Sequence, residues 1–336
     1  MFNYICKRLL LLIPVTLGVA TIVFIIMRVF LTDPSESVLG KYATPEQRLS
    51  WRKEQGLEEP LIKQYGIFLK DVLSGNFGKS YKTGASVVNE VLLRFPATIE
   101  LAVSAIILAS ILGITMGVIS AVKRNSIFDN ITSMIALLGV SIPIFWLGIM
   151  LIMTFSSKFI PSGGRIDVLL KPTGGTGFYL LDTLVSGKWN SFFDVLKHLI
   201  LPSITLAMYS TAVITRMTRS AMLETLSQDY IRTARAKGLS EGKVIIFHAL
   251  RNALIPIITI VGLQFGSLLA GAVLTETVFS WPGIGKYTVE CIQASDFPIV
   301  QASVLLTAFV FVLINLIVDV VYAFLDPRIK LTKRDE

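Results

Sequence analysis

Six stretches of this chain are apolar for long enough to cross a bilayer: 9–30, 98–122, 131–155, 199–217, 253–278 and 299–324. Each approaches the roughly 20 residues that cover about 30 Å of hydrocarbon at helical rise. The pattern therefore predicts an all-α membrane protein with about six transmembrane helices in a single domain over 1–336. The first stretch follows Lys7 and Arg8 as a secretory leader would. It exceeds the usual ~7–15 residue leader core, however, and no small-x-small cleavage site follows, so it is expected to stay in the protein.

Between the first two stretches, 31–96 alternates turn formers (Asp33-Pro34, Gly56, Glu59-Pro60, Gly75, Gly78) with short amphipathic pieces such as 61–73. It reads as a small folded cap. The segment 156–197 carries Pro161, Gly163, Gly164, Pro172, Gly174, Gly175 and Gly177 and is expected to turn rather than build regular core. Inside the stretches, Pro143, Gly262 and Gly266 are read as packing positions rather than kinks.

Composition agrees: 53% of the residues are hydrophobic and only 16% charged, more apolar material than a soluble fold of this size needs. The net charge of +8 raises nucleic acid as a partner, but the basic residues sit between apolar runs without an aromatic-interleaved stripe, so no nucleic-acid partner is expected. Cys6 and Cys291 form neither a disulfide framework nor a metal spacing. His198 and His248 read as ordinary interfacial or surface residues, and no metal site is expected.

Charge placement orients the stretches. One side collects Lys7, Arg8, Lys123, Arg124, Arg216, Arg219, Arg232, Arg235, Lys237, Lys243, Arg251, Arg328, Lys330, Lys333 and Arg334. The other side's 31–96 segment nearly balances nine basic with eight acidic residues. Short basic loops stay in the cytosol, so both termini are expected there and 31–96 outside.

The loop over 221–251 is the most informative cytosolic segment. Asp229 to Lys237 is rich in helix formers, Gly238 suits the left-handed position past a helix end, and Ser240-Glu241 suits the next start. Ala234 and Gly238, four apart and flanked by Arg232, Arg235 and Lys237, are expected to present a small-residue surface for another protein. Anionic lipid would also attract such a loop, and spacing alone leaves both open.

These residues resemble the cytosolic coupling motif of membrane subunits of ABC importers. Arg232, Thr233, Ala234 and Gly238 take the motif's places, with Ile255-Pro256 closing it; Arg232 and Thr233 stand where the general form has Glu and the first Ala. The run Arg-Thr-Ala-Arg-Ala-Lys-Gly followed by His-Ala-Leu-Arg-Asn-Ala is similar to the peptide and nickel permease family. Ser141 to Trp146, Thr275 to Gly285 and Asp326-Pro327-Arg328 resemble it too, and the 156–197 loop is most similar to the first membrane subunit of dipeptide permeases. The resemblance implies a type I ABC importer permease fold in a bacterial cytoplasmic membrane. It also implies a second homologous permease subunit, two cytosolic ATPases that bind ATP and Mg, and an extracytoplasmic binding protein that delivers dipeptides. Arg232, Thr233, Ala234, Arg235, Lys237, Gly238, Leu239 and Ser240 would be the ATPase-coupling residues.

The fragment Gly283 to Thr288 looks like a phosphate loop, but Tyr287 follows Lys286 and Ser280 holds the earlier glycine position. No ATP site or other cofactor is expected in this chain, and ATP hydrolysis would come from partners. Trp281, Pro282 and Gly283 read as an interfacial turn with Trp281 as anchor; the resemblance to the permease family implies instead that they lie near an outer gate. Glu276 and Asp319, ionisable and inside apolar stretches, are candidate gate or pathway residues, each equally able to pair with a neighbouring cation. Arg28 can reach the interface from the first stretch. An intramembrane enzyme would need a Ser-His pair, a His-Glu-x-x-His or paired aspartates within the stretches; none is visible and no catalytic residue is expected. A secondary carrier would show a repeated half, and none is found. Haem, glutathione and nickel chelates are the alternative cargoes.

Overall fold

The computed structural model describes residues 2–30, 33–40, 42–157, 160–172 and 174–325, with only the backbone of 2–12, 29, 30, 37, 319 and 321–325. The basic tail with Asp326-Pro327-Arg328 lies outside the described residues, as do the side chains of Lys7, Arg8 and Asp319. The described residues are helical, with no strand beyond one isolated bridge between Lys79 and Ser86.

Chain order is α1 (Phe2–Ile25) with a π turn at Ile26–Phe30, then α2 (Pro34–Leu39), α3 (Pro45–Glu54) and α4 (Leu61–Ser74). Long α5 (Val87–Val122) leads to α6 (Ile127–Ser141) and α7 (Ile144–Phe155). Next come α8 (Tyr179–Val185) and α9 (Trp189–Leu226), then α10 (Asp229–Ala236) and α11 (Glu241–Lys243), which runs through a π segment (Val244–Leu250) into α12 (Arg251–Val278). The chain closes with α13 (Ile284–Gln293) and α14 (Phe297–Leu325).

Among the described residues, four helices are long and apolar enough to cross a membrane: α5, α9, the continuous Glu241–Val278 helix and α14 over Phe297–Val318. The α6–α7 pair adds a fifth if it is one span. The expected first span falls on α1 and its π turn, apolar over Ile13–Arg28, where the side chains are described. The single straight span expected over 131–155 is instead bent by 107°. Pro143 is the cause, correcting its reading as a packing residue. A proline pushes the preceding residue out of helical geometry; Ile142 is extended at φ −78° and ψ 126°, and Pro143 starts α7.

The core of the bundle is α5 against α9. On α5 a four-residue repeat, Ala97, Leu101, Ala105, Ala109, Gly113, Gly117 and Ala121, is buried throughout. At helical pitch these lie along one face, and their small size lets backbones approach closely. A Cβ on Gly113 would lie 2.7 Å from Ile214 Cγ2, and one on Gly117 would lie 2.8 Å from the Thr215 carbonyl oxygen. Gly262 and Gly266 on α12 face Val318 and Phe311 of α14 in the same manner, as expected of packing positions. The 156–197 segment is more regular than expected, since α8 and the first turns of α9 occupy 179–185 and 189–197. The 31–96 segment holds three short helices; α3 is entered through a Thr44–Gln47 capping box, and α4 ends at left-handed Gly75.

Candidate functional site: an exposed loop and a buried latch

The chain folds back between α9 and α12. Helix α10 buries Ile231 and Ala234, three residues apart on one face, against Ala221, Met222, Val244, Ala249 and Ala253. Its last turn closes on Gly238, whose φ of +78° is the left-handed geometry that glycine adopts without a Cβ penalty. The Gly238 N–H donates to the Arg235 carbonyl at 2.9 Å. Across the turn Arg235 pairs with Glu241 through two contacts at 2.7 and 3.2 Å. Both are largely exposed, so the pair adds little stability.

This geometry divides the expected docking residues. Arg232, Thr233, Arg235, Lys237, Gly238, Leu239 and Ser240 are all exposed on the rim of the loop. Ala234 is not; it is 6% exposed and faces the chain's own core, because the helix needs an apolar inner face to sit on α9 and the π segment. Of the two small residues expected to form that surface, only Gly238 is exposed, set among cations. Three apolar side chains overlooked by spacing arguments join the exposed rim: Tyr230, Ile246 and Phe247, the last 67% exposed. A π segment displaces residues by about one position from the α pattern, so the face of 244–250 is not legible from a 3.6-residue repeat.

At the same end of the bundle, buried Asp129 at the start of α6 accepts from Arg219 of α9 at 2.7 and 2.8 Å, from the Asn125 N–H at 3.0 Å and from the Ser120 hydroxyl. It ties the ends of α5, α6 and α9 into one body beside the loop. Nothing singled it out in sequence, where a lone Asp after a basic turn looks like a helix-start residue.

The opposite end holds the other candidates. Glu276 is fully buried near the end of α12. Its carboxylate accepts the Thr98 hydroxyl of α5 at 2.6 Å and the Lys286 N–H of α13 at 2.9 Å. Thr98 Oγ1 in turn accepts the Ile284 N–H at 2.9 Å. The carboxylate thus caps the start of α13, where unpaired N–H groups and the helix dipole favour negative charge. Among the described residues no cation pairs with it, and no described cavity is lined by it. Gly283 and Gly285 lie against this carboxylate and have no room for a side chain.

Trp281 is also fully buried, and its indole N–H donates to the Ala97 carbonyl at 2.8 Å. This corrects its reading as an interfacial anchor: the indole packs against α5 in the bundle core, and exposed Pro282 forms the turn. Asp319 lies on α14, and its side chain is outside the described residues. His198 is 8% exposed, its Nδ1 2.9 Å from the Asp194 carbonyl oxygen, hence a core residue rather than a surface one.

Beside the latch, Arg165 of the 156–178 loop meets Glu100 of α5 with both side chains 5% exposed and contacts at 2.6 and 3.0 Å. Glu100 also accepts the Leu180 N–H at 2.8 Å, and the Arg165 guanidinium lies 3.8 Å over the Tyr179 ring. This pair pins the 156–178 loop to the bundle. Among the described residues no three His, Cys, Asp or Glu side chains gather as a metal-holding group.

Comparison with known proteins places this architecture. Residues 113–331 match the family described as "Binding-protein-dependent transport system inner membrane component", and residues 1–102 match its N-terminal companion. The chain is 46% identical over 332 residues to the dipeptide transport system permease protein DppB of Alkalihalophilus pseudofirmus, covering 98% of this chain and 100% of that one. It is 47% identical over 333 residues to the di/tripeptide transport system permease protein DppB of Pseudomonas aeruginosa, covering 98% and 99%. The glutathione transport system permease protein GsiC of Escherichia coli is 38% identical over 330 residues, with 98% and 99% covered. In fold, the chain is similar to a chain of the inward-facing MetNI methionine ABC transporter, with a TM-score of 0.50 at 17% identity over 70% of this chain and 96% of that one. With the family model covering most of its length and relatives matching it nearly end to end, the chain belongs to the inner membrane components of binding-protein-dependent transport systems.

Proposed function

We propose that this chain is one membrane subunit of an ATP-binding-cassette importer and that it passes dipeptides across the bacterial cytoplasmic membrane. The observation that carries this reading is the loop: a helix clamped by its inner face to α5, α9 and α12 while its basic and aromatic rim stays exposed. Such an element moves with the bundle and offers its rim to a partner. Two cytosolic ATPases, binding ATP and Mg, seat this rim; a second homologous permease subunit completes the conduit, and an extracytoplasmic binding protein delivers cargo. In this arrangement six spans, with α6–α7 as one broken span, leave both termini and the 221–251 loop in the cytosol and 31–96 outside. The chain supplies no catalytic residue and no cofactor.

Motion of the ATPases enters at Gly238 and its neighbours. It passes through Ile231, Ala234 and the Asp129–Arg219 tie to α5 and α9, and arrives at the outer end where α5 carries Thr98. The latch of Glu276, Trp281, Pro282 and Gly283 against Thr98 and Ala97 is then the outer gate, with Asp319 as a further pathway residue. Dipeptides lead as cargo because the relatives at 46–47% identity bear that name; glutathione is the second reading, carried by the relative at 38%. Uptake of labelled dipeptide by vesicles holding the whole complex, with and without ATP, tests the assignment. ATP-dependent dipeptide accumulation is expected. ATPase activity indifferent to dipeptide and raised by glutathione would move the assignment to the second reading.

A further inference from the structure

A cavity of about 600 Å³ runs between α1, α4, α5 and α14. Its walls are apolar: Leu17 and Ala20 of α1, Leu69 of α4, Val91 of α5, and Ala302 and Leu305 of α14. Several of its lining side chains remain open to the surroundings, Ile13 at 55%, Leu92 at 52% and Leu73 at 81%. Directly outward lies a second cavity of about 230 Å³ with a polar lining, and the two share Val72 and Phe77 as walls. Helix α14 runs through both on one face, contributing Pro298 and Gln301 to the polar cavity and Ala302 and Leu305 to the apolar one. Helix α1 does the same: the polar cavity reaches Arg28, about 12 Å beyond Ala20 at helical rise.

The polar cavity carries two cations, Arg28 and Lys79, and one carboxylate, Asp71. Arg28 lies beside Tyr81, and its Nε is buried without a hydrogen-bond partner. Gln64, also in the lining, spends its amide N–H groups on the carbonyls of Leu57 and Glu59 and leaves a buried Oε1 unpartnered. Buried polar groups are ordinarily satisfied, so this cavity holds a spare donor and a spare acceptor above an apolar slot. The arrangement is polar over apolar, at the depth where a membrane-spanning helix passes from hydrocarbon to interface.

We propose that the paired cavities bind one phospholipid of the outer leaflet, its acyl chain in the α1–α4–α14 groove and its head-group phosphate on Arg28 and Lys79. Asp71 and the Gln64 carbonyl then face the head-group amine of a zwitterionic lipid such as phosphatidylethanolamine. Helix α4 closes over the chain as a lid, with half-buried Leu69 and Val72 lining the groove and exposed Leu73 at its rim. The proposal rests on the membrane orientation given above but not on the cargo.

The test uses the assembled complex in phosphatidylethanolamine nanodiscs. After detergent extraction, native mass spectrometry is expected to find one retained phospholipid per copy of this chain. Phosphatidylethanolamine with a photoreactive acyl chain is expected to label α14 near Ala302 and α4 near Leu69. Arg28→Gln should cut retention about tenfold, the loss of one charge-assisted contact, and Arg28→Lys should restore most of it. Ala302→Trp, which fills the groove, should abolish labelling there while leaving annular labelling at Ile107 unchanged; thermal melting confirms that each variant is folded. Retention unaffected by Ala302→Trp, or labelling no denser in the groove than at Ile107, would overturn the site. Labelling that vanishes when the second permease subunit joins would make the groove a subunit interface instead. Displacement of the lipid by dipeptide would make it a cargo site.

Discussion

Gly238 concentrates two demands in one residue, a left-handed φ of +78° and an exposed place among cations. A side chain there costs about 1 kcal/mol in backbone strain and stands in the way of a docked partner. Gly238→Arg is expected to leave the chain folded and paired with its fellow permease while ATPase co-purification and uptake are lost. Normal uptake by that variant would count against docking at the turn. Glu276 makes a different prediction, because its carboxylate is consumed by Thr98 and the start of α13. Glu276→Ala strands buried donors and should lower stability by about 3 kcal/mol, read as a drop in thermal midpoint of the purified complex, with a smaller drop for Glu276→Gln. Equal midpoints for Ala and wild type would remove the latch. Neither Glu276 nor Trp281 disclosed its partner in sequence. An ionisable or aromatic residue near a span end is ambiguous until the facing helix is known, and the facing residues here, Thr98 and Ala97, lie about 180 positions away.

Among elements, the α5–α9 pair sets the bundle and α10 rides on it. The four-residue repeat on α5, small at every place but Leu101, meets residues on α9, Ile214, Thr215 and Thr218, that are ordinary apolar and hydroxyl positions in sequence. Gly117→Val would put a Cβ 2.8 Å from the Thr215 carbonyl oxygen. Overpacking against backbone has no flexible neighbour to absorb it, so a loss of about 2–3 kcal/mol is expected, measured as reduced yield and melting temperature of the detergent-solubilised complex. Gly271→Val, at a glycine with open space around it, is the control expected to leave both unchanged. Helix α10 itself was legible, with its end at Gly238 and the restart at Ser240. Its inner face was not, since Ala234 looks equally suited to a partner or to its own bundle.

For the whole molecule, α5 spans the two ends of the bundle, carrying Thr98 at the latch and Ser120 at the Asp129 tie, and in the proposed importer it couples them. Coupling between sites is reciprocal in binding free energy. Cargo-loaded binding protein should therefore tighten nucleotide binding by the ATPases of the reconstituted complex, and Asp129→Ala should weaken that effect without preventing assembly. Unchanged coupling in Asp129→Ala would show that the tie is structural only. The amino-acid order by itself determined where the chain is apolar enough to enter a bilayer, that a basic two-helix loop turns at Gly238, and which family it resembles, because hydropathy, turn chemistry and motif are local properties. Only the tertiary structure decided that Pro143 bends the third run by 107°, that Ala234 and Trp281 face inward, and that Glu276 caps α13. Each of these depends on what packs opposite, and in a helical membrane bundle the opposing residue comes from a distant part of the chain.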